Sequence, residues 1–244
     1  TKFTDFDLSG EKWLYLGTAP ISLGGRSFRF VIKDATGAVL QTVTADADGK
    51  FGFQDVPLTK TGLNTFTVEE LDEGLGGIGY DTTVFTVTVD VADSGQGDLI
   101  AGVPVVTVKG EAASLRFENT YTLEPVELPM QVQKVLEGKQ LVANQFNFQL
   151  YDAEGQLLQT KSNTSTGEVN FDQISYSAAG RYTYTIREQI PNGPKNGISY
   201  DGRVIQVTVT VTDNGDGTLT AAAEYAGGPV FTNVYTVTGD PMFS

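Results

Sequence analysis

Two matched sets of three residues carry chemistry that no cofactor has to supply. If the apolar residues around them alternate as in strands, Lys134 shares a face with Val132 and Leu136. On the same rule Glu188 shares one with Tyr182, Tyr184 and Ile186, and Asn233 with Phe231 and Tyr235. All three polar side chains point where apolar ones point. The pattern occurs earlier in the chain as well: Lys12 is in phase with Leu8, Leu14 and Leu16, Glu70 with Phe66 and Val68, and Asn119 with Leu115, Phe117 and Tyr121. A buried Lys or Glu on its own is costly enough that it neutralises or finds a partner. Taken singly, each has an ordinary explanation: a snorkelling lysine, a strand-end carboxylate in water, an asparagine capping a turn. The recurrence of all three in phase, twice, argues that each trio meets. An amine desolvated among aromatic rings has a lowered pKa and acts as a neutral nucleophile. A buried glutamic acid has a raised pKa, polarises the asparagine carbonyl and moves protons. Attack of the amine on the carboxamide carbon expels ammonia and leaves an isopeptide bond, a single-turnover reaction driven by proximity in a folded core.

Composition narrows the alternatives. The 244 residues contain no His and no Cys. That excludes Ser-His-Asp and Cys-His catalysis, imidazole and thiolate metal sites, and disulfides. Thirty acidic against sixteen basic residues give a net charge of −14, which argues against nucleic acid and anionic membrane surfaces as partners. There is no apolar run of the ~18 residues that a membrane helix needs. No signal-peptide pattern is present, and a chain beginning at Thr1 reads as a mature or excised segment. No metal and no cofactor are expected.

The elements that must position these residues come in two copies. Phe28-Arg29-Phe30, Asp34-Ala35-Thr36-Gly37 and Leu40-Gln41-Thr42 recur as Phe146-Asn147-Phe148, Asp152-Ala153-Glu154-Gly155 and Leu158-Gln159-Thr160. Gly77-Ile78-Gly79-Tyr80-Asp81 recurs as Gly197-Ile198-Ser199-Tyr200-Asp201, and Phe117-Glu118-Asn119 as Phe231-Thr232-Asn233. The composition shifts at Leu123–Pro129, which reads as a short linker stiffened by two prolines. Runs of Val, Thr, Phe, Tyr and Ile alternating with polar residues, broken by turns such as Asp48-Gly49, predict strands throughout. The Ala221–Ala223 run reads as strand or loop. The fold expected is all-β: two tandem immunoglobulin-like β-sandwiches, residues 1–124 and 125–244.

The second unit resembles the isopeptide-linked pilin domain of Gram-positive bacteria, the CnaB-type sandwich of streptococcal major pilins. The matching text is Gln131-Val132-Gln133-Lys134-Val135-Leu136-Glu137-Gly138, Phe146-Asn147-Phe148-Gln149-Leu150, Tyr182-Thr183-Tyr184-Thr185-Ile186-Arg187-Glu188, Tyr200-Asp201, Val207-Thr208-Val209-Thr210-Val211 and Phe231-Thr232-Asn233-Val234-Tyr235. The resemblance implies a bond from Lys134 to Asn233, with Glu188 as proton shuttle. It implies the same for Lys12, Asn119 and Glu70 in the first unit, where Lys12 lies four residues further ahead of its Phe-x-Phe motif than Lys134 does. Lys2 is the other candidate there. Glu69, beside Glu70, is phased outward. The resemblance also implies a structural subunit or stalk of a pilus or surface adhesin, extracellular or anchored to the cell wall and joined to other subunits by a sortase.

Asp213–Asp216 is expected to be a turn, because it lacks the spaced bidentate Glu of a calcium loop. Pro194-Lys195-Asn196 matches part of the lysine motif that sortases use and is expected to be a polar loop. Thr238-Gly239 matches the end of a cell-wall sorting signal without its Leu-Pro, and the tail from Thr236 reads as the end of a stalk. An alternative function is a module binding host carbohydrate or matrix protein through Trp13, phased opposite to Lys12, or through the Gly74–Gly77 loop. A carboxylate glycosidase is not expected, since the in-phase acids are one per unit rather than a facing pair.

Overall fold

In a computed structural model, which describes residues 4–237, the chain is built from strands, turns and loops, with no helix among the described residues. It divides into two compact units between Thr122 and Leu123. Each unit is a sandwich of two sheets, the arrangement that alternating apolar and polar residues require when each sheet hides one face.

In the first unit one sheet holds Ala19–Ile21, Thr4–Leu16, Arg116–Tyr121 and Ile78–Gly79 in that order, with Lys50–Leu58 also paired to Thr4–Leu16. The other runs Glu111–Ala112, Val105–Val108, Phe85–Asp93, Gly62–Glu70, Arg29–Lys33, Val39–Thr44. The first long strand and the last pair in parallel, with Lys12 opposite Phe117 and Leu14 opposite Asn119. Rings fill the space between the sheets: Phe30 stacks on Phe51 with centroids 3.9 Å apart, and Phe117 lies 5.1 Å from Phe30 and 5.0 Å from Phe85.

The second unit repeats the plan. Glu168–Asn170, Gln131–Glu137, Val230–Tyr235 and Ile198–Ser199 form one sheet, and Leu157–Ser162, Asn147–Tyr151, Gly180–Glu188, Val204–Asp213 and Leu219–Tyr225 the other. Its first and last long strands are again parallel, with Lys134 opposite Phe231 and Leu136 opposite Asn233. The parallel register sets each Lys and its Asn two positions apart on one inward face, because side chains repeat every second residue.

Four local details depart from the sequence reading or sharpen it. The segment read as a linker is partly structured: Val126–Leu128 pairs antiparallel with Ile174–Tyr176, and Leu123, Val126 and Leu128 pack on the second core. Its prolines bracket a three-residue edge strand, where a missing N–H costs no ladder bond. Ala221–Ala223 is strand, paired with Val209–Val211. The extra residues after Lys12 form a strand of their own, Ala19–Ile21, which folds back on Leu14–Leu16. Leu16, placed in core phase, is 39% exposed, since it is the last residue of its strand before the turn at Gly17.

Candidate functional site

Each trio is assembled from three strands in two sheets. Lys134 stands on the first long strand of its unit, Asn233 on the parallel last strand, and Glu188 at the end of Gly180–Glu188 in the opposite sheet. Lys12, Asn119 and Glu70 occupy the corresponding strands of the first unit. Lys134, Asn233, Lys12 and Asn119 are almost wholly buried, and the side chains of Glu188 and Glu70 have no exposed surface.

In both units the carboxylate joins the other two groups. Lys134 Nζ donates to Glu188 Oε2 at 2.9 Å, and Asn233 Nδ2 donates to Glu188 Oε1 at 2.7 Å. Lys12 Nζ lies 2.9 Å from Glu70 Oε2 and 2.8 Å from Oε1, and Asn119 Nδ2 donates to Glu70 Oε1 at 2.9 Å. The amines sit against rings: Lys134 Nζ is 4.7 Å from the Phe146 centroid and 5.8 Å from that of Phe148, and Lys12 Nζ is 5.0 Å from that of Phe28. Tyr200 and Tyr80 close over Phe146 and Phe28 edge-on, at 5.7 and 6.3 Å.

Burial decides the protonation tendencies. It pushes both amines below the ordinary lysine value, against the hydrogen bond and charge of the partner glutamate. It pushes both glutamates above the ordinary carboxyl value, against the pull of the lysine and the asparagine. These opposite shifts bring the pair Lys–NH2 and Glu–COOH closer in energy to Lys–NH3+ and Glu–COO−, and the former is the state in which the amine has a free lone pair.

The asparagine carbonyl has a partner that the sequence reading did not single out. Asn233 Oδ1 accepts the main-chain N–H of Asp201 at 2.7 Å, and Asn119 Oδ1 accepts that of Asp81 at 2.7 Å. The signal was the repeated Tyr-Asp pair, visible as repetition but not as chemistry.

Other singled-out residues lie outside these clusters. Glu69 points away from the core and pairs with Lys33. Trp13 is half-buried, with the Arg116 guanidinium 4.1 Å over its ring and its Nε1 donating to Glu11 Oε2 at 3.1 Å. The Gly74–Gly77 segment is a loop that ends in a turn at Gly76-Gly77, and Asp72 Oδ1 accepts the Gly74 N–H at 2.9 Å. Asp213–Asp216 belongs to a hairpin turn closed by Asn214 N–H to Thr218 O at 3.0 Å, and no group of three potential metal ligands occurs among the described residues. Lys195 is in an exposed loop, 6.0 Å from the Tyr200 ring. Thr236 donates its N–H to Gly197 O at 2.9 Å, whereas Lys2, Thr238 and Gly239 lie outside the described residues.

Comparison with known proteins gives one family match. The family model FctA, described as a Spy0128-like isopeptide containing domain, matches twice, over residues 8–122 and 130–236. Among solved structures, the chain is similar to a major pilin protein (T-13) from Streptococcus pyogenes at 19% identity, covering 96% of this chain and 99% of that one, with a TM-score of 0.40. Another major pilin structure from Streptococcus pyogenes matches at 18% identity over 96% and 99% of the two chains, with a TM-score of 0.41. Two B repeat units of the collagen binding protein of Staphylococcus aureus match at 17% identity over 95% of this chain and 50% of that one, with a TM-score of 0.27. No curated protein matches the sequence.

Proposed function

The chain belongs to the family of FctA, Spy0128-like isopeptide containing domains, and on that premise we propose that it is a structural subunit or stalk of a Gram-positive pilus or surface adhesin, with one Lys–Asn isopeptide bond closing each unit. The observation that carries the reading is the buried carboxylate that touches both the amine and the carboxamide in each unit, through separate oxygens in the second unit and with Lys12 against both oxygens of Glu70 in the first.

The reaction balances within the trio. Glu188 takes a proton from the Lys134 ammonium, leaving a neutral amine and a neutral acid. Nζ attacks Asn233 Cγ, and the carbonyl electron pair moves to Oδ1. Glu188 protonates Nδ2 and takes a proton from Nζ, the carbonyl re-forms, and ammonia leaves. Glu188 ends as a neutral acid beside a neutral amide. Glu70 does the same for Lys12 and Asn119. Each trio acts once, so nothing turns over and the product is the cross-linked protein itself.

In that role the chain works outside the cell and is joined to other pilus subunits by a sortase. The alternative, a host-ligand module using Trp13, is the weaker reading, because the indole is already engaged by Arg116 and Glu11.

Intact mass tests the proposal. The folded wild type is expected to be lighter than its sequence by two molecules of ammonia, and Glu188→Ala by one. A wild type at full sequence mass, or Glu188→Ala closing its bond as fast as the wild type, would reject the assignment.

A further inference from the structure

We propose that Asp201 and Asp81 complete the two centres: the main-chain N–H of each stabilises the oxyanion that forms on the asparagine Oδ1, and each aspartate carboxylate is the positioning group that holds that N–H in place. The proposal rests on the isopeptide reading and adds to it a donor for the developing negative charge.

The geometry is the same in the two units. The N–H to Oδ1 distance is 2.7 Å in both. Asp201 Oδ1 accepts the N–H of Arg203 at 3.0 Å, and Asp81 Oδ1 accepts that of Thr83 at 2.9 Å. These are Asx turns, and an Asx turn needs only that one oxygen. The second oxygen reaches across to the asparagine strand. Asp201 Oδ2 accepts the N–H of Thr232 at 3.0 Å, and Asp81 Oδ2 accepts that of Glu118 at 2.8 Å. Thr232 and Glu118 each immediately precede the reacting asparagine. The aspartate therefore grips the asparagine strand with its carboxylate and the carboxamide with its main chain. A turn cap alone accounts for neither contact.

The loop is delivered by the short strand before it. Ile198–Ser199 pairs with Val234 and Tyr235, and Ile78–Gly79 with Thr120 and Tyr121, each just beyond the asparagine. The residues after the aspartate differ, Gly202-Arg203 in one unit and Thr82-Thr83 in the other, yet the contacts to the asparagine persist.

When Nζ bonds to Cγ, the carbonyl pair becomes a full charge on Oδ1. A donor already aimed at that oxygen in a dry site strengthens as the charge grows and needs no reorganisation. Collapse returns the pair to the C–O bond as ammonia leaves.

The test is the rate of ammonia loss during cell-free synthesis of the full chain, quenched in acid at intervals and read by intact mass. Asp201→Asn is nearly isosteric but cannot accept at both oxygens. It is expected to slow closure of the second unit about tenfold or more, while the first unit closes at its normal rate as the internal control. Asp81→Asn should do the reverse, so the measurement survives if one variant does not fold.

A pH profile separates this role from a purely structural one. Closure needs one proton shared between Lys134 and Glu188, so its rate is bell-shaped in pH. Two other titratable groups face the pair, Asp201 and the Tyr200 phenol, and the Arg203 Nε sits 3.7 Å from Asp201 Oδ2. The Phe146–Phe148 and Phe231–Val234 stretches carry no titratable side chain. Removing the aspartate charge moves both limbs of the bell to lower pH. Folded Asp201→Asn closing at the wild-type rate with an unmoved bell would overturn this proposal alone. A wild type that loses no ammonia overturns the isopeptide reading and this proposal with it.

Discussion

A buried carboxylate with an ammonium on one oxygen is ordinarily a poor source of stability, because desolvation offsets much of the attraction. The proposed conversion to an amide would remove the lysine charge and leave the glutamate neutral, so the linked centre would no longer hold an ion pair out of water. Lys134→Ala exposes the residue-scale consequence. It deletes both the bond and the cation that draws Glu188 downward, leaving a buried carboxyl whose pKa is raised by burial with less to oppose it. A group raised in the folded state contributes stability that is complete below its unfolded value of ~4.3 and is lost as pH rises through the folded one. Lys134→Ala is therefore expected to melt higher near pH 4 than near pH 8, with Glu188→Gln on top flattening that slope. Equal melting of the single variant at both pH values would contradict the burial of a lone carboxyl.

At the scale of elements, each lysine strand is held by a turn as well as by its parallel partner. Lys134 N–H donates to Gly167 O at 2.7 Å, and Lys12 N–H to Gly49 O at 2.6 Å. Both glycines have positive φ, +95° and +78°, and a Cβ at either would lie 2.2 Å from the lysine carbonyl oxygen. Gly167→Ala thus strains its own backbone and pushes the nucleophile's strand. A cost of about 2–4 kcal/mol in the unlinked precursor and slower ammonia loss from the second unit are expected. Gly155, at φ +81° with open space around it, supplies the control: Ala there costs only about 1–2 kcal/mol of left-handed strain and leaves the closure rate unchanged. Chemical denaturation of both in an Asn233→Ala background, with timed mass measurement in the native one, distinguishes the two effects.

For the whole molecule, the parallel pairing of first and last strands matters most. A pull on the ends of a unit enters the lysine strand at its N-terminal end and leaves the asparagine strand at its C-terminal end. The proposed bond would lie between those points, so force would cross a covalent link instead of a hydrogen-bond ladder and bypass the segment between Lys and Asn. Closing a segment of roughly 100 residues is worth about 4–5 kcal/mol by analogy with a disulfide of that span, and an amide survives the reductants that cleave a disulfide. Single-molecule pulling of the wild type should show almost no unfolding extension. Lys134→Ala should add one event releasing the roughly 100 residues between positions 134 and 233, at most about 3.3–3.6 Å each. Full extension of the wild type at moderate force would reject the bypass.

The sequence by itself determined the strands, the duplication and the inward phase of Lys134, Glu188 and Asn233, because period-2 alternation and repetition are local properties of the chain. It also placed Lys12 in phase, but four extra residues blurred its equivalence to Lys134. Only the tertiary structure showed those residues turning back as Ala19–Ile21 and leaving Lys12 on Glu70. The pairing of Val126–Leu128 with Ile174–Tyr176 was likewise invisible, since ladder partners distant in sequence leave no periodic trace. Asp81 and Asp201 were hidden for a related reason. Their contact with the carboxamide runs through the main-chain N–H, which every residue but proline has, so no side-chain pattern marks it; it exists only where the fold brings that one amide to the asparagine carbonyl.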